Sequence, residues 1–388
     1  MSAASHPLAP KALSALRGGD WAGARSALEV MAADGAADAD VLALLGTACH
    51  RLGDAAAAHA AADRALTLNA RHLRSALLKA DLLAEQGAKR EANIYYRAVA
   101  EIGGAAPSLP ADLAEGVARA RALRERLAAD MAEQLTTALS DAGYSQSRSN
   151  ARFTHALDLA IGRRQPYFQQ PQAFYYPELP NIQFYPREQF PWLDAVETAT
   201  EAMTEELAAV LSDDAGFAPY LTSNPILPNQ TDYPLIDSMD WSACHLWRDG
   251  RETPNAARCP RTMAALADAP LCRIAGRSPQ IMFSQLKAGA HIKPHTGFVN
   301  TRLICHVPLI VPEGCKFRVG NETRIWEKGK AWVFDDTIEH EAMNTSDRTR
   351  VVLIFDIWRP ELSEEERALV STLLEAMDAY APEKTTWD

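Results

Sequence analysis

The chain has six cysteines in 388 residues and no Cys-x-x-Cys pair. A disulfide framework and a zinc ribbon are therefore excluded, and reduced core thiols are expected. It has no excess of positive charge: 39 Lys+Arg stand against 50 Asp+Glu, a net charge of -11. Nucleic acid and anionic membrane partners rely on cationic side chains and are not expected. No apolar run approaches the ~18 residues of a membrane span. The start, MSAASHPLAP, lacks the basic and apolar regions of a secretory signal, so a cytoplasmic location is expected.

Proline is missing from residues 11–106, and aromatics are few there. What fills that region is Ala and Leu, the strongest helix formers. It also carries a period. Gly19, Gly53 and Gly87 are 34 residues apart, as are Ala24, Ala58 and Ala92, and Leu28, Ala62 and Tyr96. Gly46 and Ala80 share the spacing. A 34-residue period with a turn glycine and a small residue where helices cross is the tetratricopeptide pattern. About three repeats and a further helix over 110–141 are expected, in a helical domain over residues 1–145. An ordinary Ala-rich bundle is the alternative. Such arrays present a surface to a peptide or protein, or serve as passive docking modules.

The polar run DAGYSQSRSN (141–150) reads as a linker, and residues 150–388 as a second domain. A helix is expected from Pro191 to Leu211, and loop over 220–235. In residues 280–362, apolar and polar residues alternate between short turns such as PEG, GNE and KGK, which predicts a β-sandwich or barrel. The Asn-Glu-Thr run at 321–323 is expected to be a hairpin turn rather than a glycosylation site. Trp326, Trp332 and Trp358 are expected in the core. Cys305 and Cys315 are expected on neighbouring strands.

Four histidines lie in this segment: His291, His295, His306 and His340. His291 and His295 would share a helical face, but Pro294 and Ile292 argue against a helix there. A sheet offers a better pairing. His295 follows a strand, His340 comes just after the strand AWVFDD, and Arg350 opens the apolar run VVLIFDIW. Two imidazoles on adjacent strands suit two corners of a non-haem iron site. An Arg in the strand wall offers a bidentate fork to a carboxylate. These are parts of an iron and 2-oxoglutarate oxygenase; by spacing alone, ordinary core or surface histidines are the alternative. Asp335, Asp336, Glu339 and Glu341 flank His340, either to orient it or as solvated loop carboxylates.

The motifs KPHTGFVNTRL, HVPLIVPEGCKFRVGNETRIWEKGK, FDDTIEHE and DIWRPEL, with PNIQFYPREQFPWL and MDWSACHLWRDG upstream, resemble the aspartyl/asparaginyl β-hydroxylase family over residues 150–365. Members of that family are 2-oxoglutarate-dependent oxygenases on a double-stranded β-helix (cupin-like jelly roll), and some carry tetratricopeptide-like regions. The resemblance implies that His295 and His340 ligate Fe(II), and that Arg350 and Ser284 hold the distal carboxylate of 2-oxoglutarate. It implies that His306 contacts the other carboxylate, and that Arg302 and Trp241 face substrate. The family lacks the usual carboxylate ligand, which agrees with Gly297. The chain departs from the animal enzymes at Ile304, where they have a second Arg, and at Ala243, where they have Gln. The resemblance implies O2-dependent hydroxylation of an unactivated C–H bond, the β-carbon of Asp or Asn in a protein or peptide docked by the repeats. A lipid A or acyl-chain hydroxylase, or a catalytically silent repeat adaptor, are the alternatives.

Overall fold

The computed structural model describes residues 5–106, 108–212, 216–223 and 233–380, so most of the loop expected at 220–235 lies outside the described residues. The chain folds as two compact units, Met1–Arg164 and Gln165–Asp388.

The first unit is helical: α1 (Ala9–Gly18), α2 (Trp21–Ala33), α3 (Ala39–Arg51), α4 (Ala55–Leu68), α5 (Leu73–Glu85), α6 (Lys89–Ala105), α7 (Ala111–Asp141) and α8 (Ala151–Ala160). The 34-residue period has a physical counterpart at each position. Gly19, Gly53 and Gly87 join α1 to α2, α3 to α4 and α5 to α6, with φ of 73°, 80° and 78°. That left-handed conformation costs a residue with a Cβ more than glycine. Ala24, Ala58 and Ala92 are all 0% exposed, so nothing larger than a methyl fits where the helices cross. Leu28, Ala62 and Tyr96 are buried beside them. Asp20 and Asp54 cap α2 and α4 by accepting from the backbone N–H of Gly23 and Ala57.

Residues 141–150 form a turn and not a free linker. The Tyr144 ring meets Phe153 with centroids 5.6 Å apart, and its hydroxyl reaches Thr154 Oγ1 at 3.1 Å. The Asn150 side chain caps α8, a helix not anticipated within the second part of the chain.

The second unit has two antiparallel sheets. Its strands are β1 (Ala218–Pro219), β2 (Trp241–Arg248), β3 (Arg251–Glu252), β4 (Ile281–Leu286), β5 (His291–His295), β6 (Arg302–Ile310), β7 (Cys315–Val319), β8 (Glu322–Ile325), β9 (Trp332–Phe334), β10 (His340–Asn344) and β11 (Arg350–Trp358). The larger sheet runs β1-β2-β4-β11-β6-β9 with β3 on β2, and the smaller runs β5-β10-β7-β8. The described strands form these two open sheets and no closed barrel. The helix expected at 191–211 is two, α9 (Leu193–Thr198) and α10 (Thr200–Leu211), broken at Ala199. Short α11 (Pro260–Ala265) and C-terminal α12 (Glu364–Tyr380) complete the unit.

The two-residue strand period sorts the side chains. Leu303, Cys305 and Val307 of β6, and Val351, Leu353 and Phe355 of β11, join one core with Leu193, Met203 and Leu207 of α9 and α10. The intervening residues turn to the other sheet. There Ile304 and Val352 meet Ile292, Phe317 and Phe334 in a second core. The central strands are buried on both faces, which is why they read as nearly continuous apolar runs.

All six cysteines are free and buried. Cys305 and Cys315 are not on neighbouring strands: the turn after β6 carries the chain to the other sheet, so they lie on β6 and β7 of different sheets. Asn321 does lie in the turn between β7 and β8. Trp326 and Trp358 are buried, and Trp332 is half-buried. No described helix is long and apolar enough to cross a membrane.

Candidate functional site

His295 ends β5 and His340 begins its own strand, β10, instead of trailing the one before. The two residues are direct partners in the antiparallel register. Their rings lie 4.1 Å apart between centroids. His295 Nδ1 sits 2.8 Å from Lys293 O, and His340 Nδ1 sits 3.1 Å from Ile338 O. A carbonyl only accepts, so each Nδ1 carries the ring proton and each Nε2 presents a lone pair. Burial holds both imidazoles below their ordinary pKa, His340 well below, with the neighbouring His295 adding to the effect on His340. His295 is exposed to solvent at the wall of a cavity.

That cavity, of about 630 Å³, opens between the two sheets. Trp241, Ser284, His295, Arg302, His306, His340 and Arg350 all line it, so the structure brings every expected site residue together. The smaller sheet supplies the histidine pair, and the larger sheet supplies the rest. Trp241 stacks on Tyr220 at 4.2 Å and lies 6.3 Å from the His295 ring. Ile304 also lines the cavity; Ala243 is buried opposite Ser284 in the register of β2 and β4.

Arg350 is 2% exposed. Its guanidinium donates to Ser284 O at 3.4 Å and lies 4.7 Å over the Trp326 ring. No carboxylate among the described residues pairs with it, and its Nε has no hydrogen-bond partner. Burial pushes its pKa down to about 10. His306 Nδ1 and Trp326 Nε1 are also buried without partners. Burial first, and then the Arg350 charge, hold His306 well below its ordinary value. A buried cation with no anion is costly unless a ligand brings the anion.

Arg302 is different. It faces Asp336 at 3.5 Å and Asp356 at 3.3 Å. Burial would loosen its proton, but the two carboxylates outweigh burial and hold it more tightly than usual. Burial pushes Asp336 up to about 6 despite Arg302. Asp335 pairs instead with Arg359 at 2.7 Å. Glu341 takes Arg318 on one side and His291 on the other, the latter at 2.8 Å, and Arg318 also holds Glu339. The four carboxylates around His340 are thus in ion pairs; the His340 Nδ1 proton goes to a backbone carbonyl.

Among the described residues, no group of three or more His, Cys, Asp or Glu forms a metal-holding cluster. A Cβ at Gly297 would collide with the Asp336 carboxyl group, so this position has no room for a side chain. The residues fit a two-imidazole site and leave further positions to exogenous oxygen ligands. The Asp356 partner of Arg302 was missed by sequence reasoning. The signal was available: a lone acid within VVLIFDIW, a run otherwise buried on both faces.

The comparisons with known proteins agree with the motifs. Residues 197–360 match the model of the aspartyl/asparaginyl beta-hydroxylase family. The chain is 42% identical over 138 residues to the mouse "Aspartyl/asparaginyl beta-hydroxylase", covering 34% of this chain and 18% of that protein. It is 30% identical over 208 residues to the rat "Aspartate beta-hydroxylase domain-containing protein 2", covering 52% and 58%. It is 34% identical over 190 residues to the Rhizobium tropici "Ornithine lipid ester-linked acyl 2-hydroxylase", covering 48% and 63%. The chain therefore spans under two thirds of each of these relatives. Among solved structures, PcrH from Pseudomonas aeruginosa is 18% identical with a TM-score of 0.27, covering 30% of this chain and 85% of that one. The Arabidopsis OM64 TPR domain is 18% identical with a TM-score of 0.26, covering 30% and 88%.

Proposed function

We propose that the second unit, similar over residues 197–360 to the aspartyl/asparaginyl beta-hydroxylases, is an Fe(II)- and 2-oxoglutarate-dependent dioxygenase that hydroxylates an unactivated C–H bond. The observation that carries this reading is the buried, acid-free Arg350 in the same cavity as the facing His295 and His340. His295 and His340 would hold Fe(II) through Nε2. Arg350 and Ser284 would hold the tail carboxylate of 2-oxoglutarate, with His306 beside its other end. The metal and cosubstrate, when bound, supply the oxidising power that activates O2.

The chain's own residues do the rest. The Nδ1–H bonds to Lys293 O and Ile338 O fix both imidazole planes before any ligand arrives. The guanidinium, held over Trp326, would take one carboxylate of a dicarboxylate. Ile292, Ile304 and Phe334 make part of the cavity wall apolar, which would limit water beside the reacting centre. A double-stranded β-helix is the topology we assign to the two sheets. The repeats over residues 1–145 would dock a protein or peptide to residues 150–388, and a cytoplasmic location is in keeping with the free, buried thiols.

The test is succinate release from 2-oxoglutarate by the Fe(II)-loaded chain, with His340→Ala as control. Iron-dependent turnover in wild type and none in the variant is expected. Wild type that neither turns over nor binds 2-oxoglutarate would refute the reading.

A further inference from the structure

The strand that ends in His295 is irregular. In the register of β5 with β10, His295 faces His340 and Ile292 faces Ala342, so three steps on β5 match two on β10. The extra residue is a β-bulge, a device that re-aims side chains. Ile292 and His295 are three apart, and a regular strand would place them on opposite faces. With the bulge both line the cavity, and so do Lys293 and Pro294 between them.

The bulge also takes Lys293 out of the ladder. Its N–H donates to Tyr233 Oη at 3.1 Å, and its carbonyl accepts from His295 Nδ1 at 2.8 Å. Its side chain is exposed at the cavity mouth, with Nζ 5.8 Å from the Tyr233 ring centroid, within cation–π range. No carboxylate among the described residues pairs with it. An exposed lysine needs no partner for stability. What sets Lys293 apart is that its backbone is fixed beside the histidine pair and its head lies against a ring. Part of the rotamer entropy that an ion pair costs a long side chain is thereby already lost.

The charges of the cavity point the same way. Its lining holds three cations, Lys293, Arg302 and Arg350, against two carboxylates, Asp336 and Asp356. The two carboxylates both face Arg302. Fe(II) and the 2-oxoglutarate dianion, on the reading above, bring equal and opposite charge. The loaded cavity therefore keeps one positive charge in excess, and the cation without a carboxylate at the mouth is Lys293. One ammonium fits one carboxylate; an anionic lipid surface is held by clusters of cations, which the mouth lacks.

Resting on the iron and 2-oxoglutarate reading, we propose that Lys293 is a specificity-determining residue whose ammonium pairs with a carboxylate of an acidic peptide substrate. Lys293 lies two residues from His295, roughly 7 Å along a strand. An extended peptide advances by a similar step, so the carboxylate belongs about two residues from the one presented to the histidine pair.

The test uses the full chain loaded with Mn(II), which blocks turnover, and saturated with 2-oxoglutarate. The probes are acetylated and amidated X-Gly-Asn-Gly-X peptides, with X glutamate, glutamine or lysine on both sides, so that either peptide direction is covered. Affinities are read by ligand-observed NMR. The glutamate probe is expected to bind about three- to fivefold more tightly than the glutamine probe, the upper part of the range for an exposed charge pair. Raising salt from about 50 to about 300 mM should shrink that ratio. Lys293→Met should abolish it, and Lys293→Glu should make the lysine probe the tighter one. That reversal is a readout that a merely structural role of Lys293 would not give. A wild-type ratio below about twofold, a glutamate preference that survives either substitution, or no binding by any probe overturns the proposal. So does retention of the chain by phosphatidylglycerol vesicles that Lys293→Met removes, since the anion would then be a lipid headgroup. A prior titration with 2-oxoglutarate separates the two readings. Failure to bind it sinks the oxygenase assignment, whereas normal binding without a glutamate preference sinks only the role of Lys293.

Discussion

Replacing Arg350 with methionine is expected to act in opposite directions on the ligand-free protein and on cosubstrate binding. The guanidinium is buried without an acid, and its fall from the ordinary arginine value to about 10 corresponds to roughly 3 kcal/mol against the charged form. Its position over Trp326 returns about 1–2 kcal/mol. Arg350→Met removes the charge, keeps an apolar stem and leaves no buried acid orphaned, since no described carboxylate pairs with Arg350. A gain of about 1–2 kcal/mol is expected without cosubstrate, or a Tm several degrees higher. In wild type, 2-oxoglutarate at a hundred times its Kd should add about 2.7 kcal/mol. In the variant, losing the buried charge partner costs about 2–5 kcal/mol, so at the same cosubstrate concentration that increment should fall below about 1 kcal/mol. Differential scanning calorimetry of both Mn(II)-loaded proteins, with and without 2-oxoglutarate, measures the four values. A variant less stable than wild type without cosubstrate, or one that keeps the wild-type ligand shift, refutes the reasoning.

Other outcomes follow from the same geometry. Manganese should bind once per chain by calorimetry, and His295→Ala or His340→Ala should each weaken it at least about a hundredfold, the upper part of the range for lost metal-site partners. Circular dichroism should stay native, because each ring bonds only to a backbone carbonyl. Gly297→Asp should not raise metal affinity: its Cβ would collide with Asp336, and a denaturant titration should show a loss of about 1–3 kcal/mol. Glu206 accepts from the Arg261 and Thr262 backbone N–H groups and the Thr262 hydroxyl at the start of α11. Burial raises its pKa, but those bonds outweigh burial and hold it below the ordinary 4.5. Glu206→Gln should cost about 1–3 kcal/mol at pH 7. Because the folded pKa is depressed, that difference is full above the ordinary value and should shrink as pH falls through the folded one.

Local steric requirements were the legible part of this chain. Gly19, Gly53 and Gly87 each satisfy a backbone angle, and Ala24, Ala58 and Ala92 each satisfy a helix crossing. Both constraints act at one position and therefore leave a period. The histidine pair was legible through the strand pattern on either side of it. Side-chain partners drawn from distant strands were not. Cys305 and Cys315 are ten residues apart, yet the chain changes sheets between them, and no local signal marks that change. Arg302 and Arg350 show the consequence for function. Both are arginines of the C-terminal motifs and both line one cavity, Arg302 half-buried and Arg350 fully buried. One is already balanced by Asp336 and Asp356, while the other has only an aromatic face and a carbonyl. A motif identifies the side chain at a position; whether its charge is open to a ligand depends on the residues across the cavity. For this chain, Arg350 is the buried cavity cation with no acid partner among the described residues, and a bound carboxylate tail would go there.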